Sequence, residues 1–109
     1  MGKQKKNIDD EKIQFFSESI RKKLNKNLKS IFLFGSRARG DFNEDSDYDF
    51  AIILNEKTPK SINNIRKIEC DFLNRYDELT SSLIYDEIEW LRKLKLPIGI
   101  NIMREGVQL

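Results

Sequence analysis

Apolar residues recur along this chain with two periods, and each period predicts a different kind of element. Ile13, Phe16, Ile20 and Leu24 return at spacings of three and four, so they line one face of a helix predicted over residues 9–26. Asp9, Asp10 and Glu11 stand where the first turn favours negative charge, and Arg21, Lys22, Lys23 and Lys26 load its end. Ile31-Phe32-Leu33-Phe34 is a continuous apolar run stopped by Gly35, the pattern of a strand buried on both faces. Residues 36–46 are polar and acidic, with room for a short helix and a loop, and residues 47–54 read as a second strand.

After a turn around Pro59, Ser61 is placed to cap a helix whose Ile62, Ile65, Ile68, Phe72 and Tyr76 share a face. Cys70 falls inside it and reads as a buried or half-buried spectator thiol with no base beside it. Leu79 to Tyr85 forms a third strand, interrupted by Thr80, Ser81 and Ser82. Asp86 then caps a helix carrying Ile88, Trp90, Leu91 and Leu94; Pro97 opens a last helix, Gly106 stops it, and Val107-Gln108-Leu109 is a tail. The order α-β-(α)-β-α-β-α-α predicts an α+β or mixed α/β domain with a small sheet. Its last third is rich in apolar residues, with Trp90, Leu91, Leu94, Ile98, Ile100 and Ile102 close together. One small sheet cannot cover them all, so some are expected to pack on another subunit, a homo-oligomer or a partner.

Length bounds this picture: 109 residues are expected to form one domain, residues 1–109. With 39% hydrophobic and 35% charged residues the chain is expected to be a polar-surfaced globule, not a disordered tail. No apolar run approaches the roughly 20 residues that span a bilayer, and no apolar stretch follows the first lysines to make a secretory signal. The cytoplasm is the expected location. A single cysteine excludes an internal disulfide, and the lack of histidine excludes Cys/His zinc sites and Ser-His or Cys-His nucleophile pairs. Charge is uneven: residues 1–30 carry nine Lys/Arg against four Asp/Glu, or +5, and the other 79 residues sum to −3. A solvated helix face accounts for the basic segment, and without basic-aromatic motifs direct nucleic-acid binding is not expected.

The chemistry concentrates in residues 35–50, GSRARGDFNEDSDYDF. Alternate residues of a strand share a face, so Asp47 and Asp49 are expected to point together while Tyr48 and Phe50 point away. Two adjacent carboxylates repel, and a cation between them relieves the repulsion. Oxygen ligands alone suit Mg²⁺ or Mn²⁺, and magnesium is usually held by one or two carboxylates plus substrate phosphates. The residues before them offer a place for those phosphates. Gly35 directly after a strand lets backbone approach a ligand, Ser36 supplies a hydroxyl, and Arg37 and Arg39 are fixed positive forks. No Gly-Lys-Ser/Thr ending is present, so this is not a Walker loop. Asp-x-Asp alone is common, and so is Gly-Ser; an apolar strand, Gly-Ser, ten residues, Asp-x-Asp and a second apolar strand together are not.

This combination resembles the signature of the polymerase-beta-type nucleotidyltransferases. The fuller string, together with the closing Asn101-Ile102-Met103-Arg104-Glu105-Gly106-Val107-Gln108-Leu109, is similar to their minimal bacterial and archaeal members. The resemblance implies a small mixed β-sheet flanked by helices. It implies that Gly35 and Ser36 hold the triphosphate of ATP and that Asp47 and Asp49 are catalytic and bind Mg²⁺, with two ions expected. It also implies a partner: members commonly pair with an all-helical HEPN-domain toxin, an RNase. Some act as antitoxins by transferring AMP from ATP to a tyrosine of that toxin.

In one respect the sequence departs from the family pattern, which has a third carboxylate in the middle of the next strand. Residues 79–85 contain no acid; Thr80 or Ser82 is expected at that position, with Glu78 and Asp86 flanking the strand as displaced candidates. Such an acid deprotonates the attacking hydroxyl or completes a metal site. Two readings follow, a Mg-dependent AMP-transferring antitoxin and a weak or inactive one that neutralises its toxin by binding.

Overall fold

The computed structural model describes residues 10–109. The elements are α1 (Glu11–Leu24) and then a 3₁₀ turn (Asn25–Asn27), β1 (Leu28–Phe34), α2 (Ser36–Arg39) and β2 (Tyr48–Leu54). They continue with α3 (Pro59–Tyr76), β3 (Thr80–Asp86), α4 (Glu87–Lys93), α5 (Pro97–Glu105) and β4 (Val107–Gln108). Helix α1 begins where the acidic run predicts: Asp10 is its N-cap, accepting hydrogen bonds from the Lys12 and Ile13 amides. Asp9 and the lysines before it lie outside the described residues.

The four strands form one mixed sheet in the order β3-β2-β1-β4. Strands β1 and β2 are antiparallel, β4 is antiparallel to β1, and β3 is parallel to β2 through the α3 crossover. Residues 31–34 of β1 and 50–54 of β2 are apolar on both faces because helices cover both sides of the sheet there. Ile31 and Leu33 of β1 and Phe50, Ile52 and Leu54 of β2 pack beneath α1 and α3 with Phe16, Ile20, Ile65 and Phe72. Phe16 stacks on Phe50 with centroids 4.0 Å apart, and Phe72 meets Phe16 edge-on. The alternate residues Phe32, Ala51 and Ile53 face the other way, against Trp90, Ile98 and Ile102 of α4 and α5.

Three local expectations are corrected. Thr58, not Ser61, caps α3; Pro59 takes the first helical position, and Ser61 is the third residue of a reciprocal capping box with Thr58. Cys70 is exposed, because the buried face of α3 runs through Ile65, Ile68 and Phe72. Residues 107–109 are not a loose tail: Val107 and Gln108 pair with Leu33 and Phe32, and the Leu109 amide donates to Ile31 O. Asp86, in contrast, caps α4 as its sequence predicts, in a capping box with Glu89. Of the apolar C-terminal residues, Ile102 is buried, Trp90, Leu94 and Ile98 are half-buried, and Ile88, Leu91, Leu96 and Ile100 are exposed. Among the described residues no helix is long and apolar enough to cross a membrane.

Candidate functional site

Strand β1 delivers the chain to Gly35, which turns at φ +75° and starts the single turn of α2. Only glycine adopts that φ without strain. A second constraint acts on the same position, since a Cβ on Gly35 would sit 2.5 Å from Asp49 Oδ2. The backbone of the Gly-Ser turn therefore lies directly against the Asp49 carboxylate, as the pairing of Phe34 with Asp49 across β1 and β2 requires. The Gly35 carbonyl accepts from the Ala38 and Arg39 amides and the Ser36 carbonyl from Gly40, which closes the turn. The first amides of any helical turn have no acceptor within it, so this turn presents N–H groups beside Ser36.

Asp47 immediately precedes β2 and is exposed, while Asp49 lies within the strand and is half-buried. Burial raises the Asp49 carboxyl above the ordinary aspartate range; the charge of Asp47 adds to the rise and that of Arg39 opposes it. Tyr48 points to the opposite face as strand alternation predicts. It is buried, and its hydroxyl donates to Asp10 Oδ2 at 3.2 Å. Burial, reinforced by Asp10, holds that phenol protonated well above its usual range.

The two arginines, predicted as a pair of phosphate forks, are separated by the structure. The Arg37 side chain is only 8% exposed and is paired with Glu78 at 3.6 Å. It lies between the rings of Phe42 and Tyr48, at 4.4 and 4.3 Å. Its Nε and Nη2 donate to Ser46 O, so its guanidinium fastens the 40–47 loop to the start of β2. Asn43 helps, its side-chain oxygen accepting from the Asp45 amide while Ser46 Oγ accepts from the Asn43 amide. Arg39 remains at the surface, held by Asp41 Oδ2 at 3.2 Å and Glu105 Oε1 at 3.0 Å, and its charge reaches Asp49. Sequence reasoning missed the loop-fastening role of Arg37; the signal was the aromatic pair Phe42 and Tyr48 on either side of the loop. It also missed Glu105, for which a position 66 residues away gives no local signal.

Register also relocates the position beside the aspartates. In β3 it is Ser81, not Thr80 or Ser82, that pairs with Asp49. Thr80 and Ser82 pair with Tyr48 and Phe50 and share their face, where the Oγ atoms of both are buried without a hydrogen-bond partner. Asp86 is excluded as a displaced acid: it caps α4 five residues beyond Ser81, about 17 Å at the usual strand rise. Glu78 is closer, lining a hollow of about 190 Å³ with Asp45, Ser46 and Asp47, but it is committed to Lys12 at 2.8 Å and to Arg37. Among the described residues no three Asp, Glu, Cys or His side chains gather as metal ligands. The donor set is two carboxylates, one of them raised by burial and then by its neighbour's charge, which fits magnesium shared with substrate phosphates and not a cage made of protein alone.

A Gly-Ser turn packed against an Asp-x-Asp strand, in a mixed sheet between helical layers, defines a class, and the family comparison agrees. Residues 13–105 match the family described as "Nucleotidyltransferase domain"; the chain belongs to that family and is a nucleotidyltransferase. It is 41% identical over 74 residues to "Putative protein adenylyltransferase MJ0141" of Methanocaldococcus jannaschii, covering 67% of this chain and 75% of that protein. With "Putative protein adenylyltransferase MJ0604" of the same organism it shares 28% over 98 residues, 90% of this chain and 94% of that one. Among solved structures it is similar in fold to a toxin-antitoxin with AMP-PNP (TM-score 0.58, 19% identity, 93% of this chain and 72% of that one). A mutant of the MntA-HpeT toxin-antitoxin gives a TM-score of 0.59 at 19% identity, over 94% of this chain and 72% of that one.

Proposed function

We propose that this nucleotidyltransferase transfers AMP from Mg-ATP to a hydroxyl acceptor, a tyrosine of a HEPN-domain toxin, and so acts in the cytoplasm as an antitoxin. The observation that carries the reading is the contact of the Gly35 turn with Asp49: backbone amides suited to phosphate lie beside a carboxylate suited to magnesium. The names of the two archaeal relatives support protein adenylylation, and the AMP-PNP in a structural neighbour supports an adenine nucleotide. The exposed Ile88 and Leu91, one turn apart on α4, and Ile100 on α5 support a protein partner.

In this reading Asp47 and Asp49 hold the magnesium ions and Ser36, the turn amides and Arg39 hold the phosphates. Magnesium held there would supply positive charge against the negative charge that develops during transfer. The acceptor oxygen attacks the α-phosphorus of ATP, the bond to the β-phosphate oxygen breaks, and pyrophosphate leaves. Ser81 beside Asp49 cannot take the acceptor's proton, so the proton passes to solvent or to a base of the partner. A phenol suits such a site, because its pKa near about 10 makes it far easier to ionise than an alkyl hydroxyl.

The Ser81 position also favours a second reading, an antitoxin that masks its toxin by binding alone. Label transfer from α-³²P-ATP to a purified HEPN-domain toxin, with the modified residue located by mass spectrometry, separates the two. Labelled tyrosine with wild type and none with Asp49→Asn supports transfer. A wild type that labels nothing yet neutralises the toxin, with Asp49→Asn neutralising equally well, supports masking.

A further inference from the structure

We propose that Glu105, at the C-terminal end of α5, is the residue that positions Arg39 across the phosphate side of the site. The inference rests on the nucleotide-transfer reading above and deepens it. Glu105 Oε1 accepts from Arg39 Nη1 at 3.0 Å while Asp41 Oδ2 accepts from Nε at 3.2 Å. Two carboxylates thus grip two sides of the guanidinium, and among the described residues its Nη2 group makes no hydrogen bond. A fork held in this way presents its remaining donors in one direction, and less rotamer freedom is lost when an anion arrives.

The end of the chain is built to hold Glu105 there. The Gly106 amide closes α5 on Ile102 O, and a Cβ at Gly106 would collide with that carbonyl. Val107 then pairs with Leu33 in β1, one residue from Phe34 and two from Gly35, so β4 brings the end of α5 to the site's end of the sheet. The pair is no mainstay of the fold: Arg39 is 43% exposed and Glu105 20%, and such surface ion pairs contribute little to stability. Orientation, not stability, is what this contact offers.

Calorimetric titration of Mg-ATP into wild type, Glu105→Gln, Arg39→Ala and the double variant tests the proposal, with thermal melting measured on each. Expected is a loss of affinity of about five- to tenfold for Glu105→Gln at an unchanged melting temperature. Arg39→Ala is expected to lose more, and the double variant no more than Arg39→Ala. Wild-type or tighter affinity in Glu105→Gln overturns the proposal, and so do losses that multiply in the double variant, because Glu105 would then act independently of Arg39. Nucleotide binding by wild type with either of those results leaves the transfer reading standing; a wild type that binds no Mg-ATP overturns both.

Discussion

Gly35 and Asp49 are in contact across the β1–β2 ladder, with no room for a single methyl group between the glycine backbone and the carboxylate. The contact links the two halves of the Gly-Ser, ten-residue, Asp-x-Asp pattern: residues 14 apart in sequence lie together because antiparallel pairing places Phe34 opposite Asp49. It also explains why Asp49 is half-buried, and hence why its carboxyl is raised.

Gly35→Ala is therefore predicted to act twice. Its φ of +75° strains any L side chain by roughly 1–2 kcal/mol, and the new methyl displaces Asp49. The expected result is a lower melting temperature together with a loss of Mg-ATP affinity comparable to that of Asp49→Asn. Unchanged nucleotide affinity would show that the turn and the carboxylate are not one site.

Asp49→Asn is predicted to raise the melting temperature of the metal-free protein while removing nucleotide binding. The folded-state pKa of Asp49 lies above its unfolded value, so the folded protein holds the proton more tightly. Stability from this group is present at low pH and declines as pH rises from the ordinary aspartate range to the raised value. Magnesium needs the ionised form, so Mg-ATP affinity should rise across that same window. Melting and calorimetry over a pH series that starts in the ordinary aspartate range and ends at neutrality check both signs; a variant less stable than wild type at neutral pH contradicts the first.

Ser81→Asp places a carboxylate on the strand position paired with Asp49. If the absent acid limits transfer, the rate to a tyrosine acceptor should rise, by up to the roughly 100-fold at which general-base contributions begin. A Ser82→Asp control should instead destabilise the protein, because that side chain is buried against the α1–α3 core. Equal rates for wild type and Ser81→Asp would show that proton removal does not limit the step.

Arg37→Lys keeps the charge but loses the planar fork that bonds Ser46 O and stacks between Phe42 and Tyr48. We expect a cost of about 1–3 kcal/mol in denaturant unfolding, with Mg-ATP affinity reduced through the loop that carries Asp47. A variant as stable as wild type would remove Arg37 from the loop's support.

The sequence disclosed whatever depended on local rhythm. Ile13, Phe16, Ile20 and Leu24 marked the buried face of α1, and the unbroken apolar runs before Gly35 and after Asp49 marked the central strands. The spacing of Gly35-Ser36 and Asp47-Tyr48-Asp49 singled out residues that the β1–β2 ladder brings together. What depended on register was hidden. Thr80, Ser81 and Ser82 are chemically alike, and only the ladder to β2 shows which one stands beside Asp49. The pairing of Val107 with Leu33 and the reach of Glu105 to Arg39 join distant parts of the chain, so no local pattern announces them. Arg37 and Arg39 look equivalent two residues apart, but a single helical turn sends one toward Tyr48 and leaves the other at the surface.

Calorimetric titration of ATP in the presence and absence of magnesium tests the central claim most directly, that Gly35, Ser36, Asp47 and Asp49 form one metal-nucleotide site. Binding to wild type with magnesium is predicted to collapse in EDTA, in Asp47→Asn and in Asp49→Asn, with each variant still folded by circular dichroism. Binding of equal strength without metal, or in Asp49→Asn with metal, would contradict it.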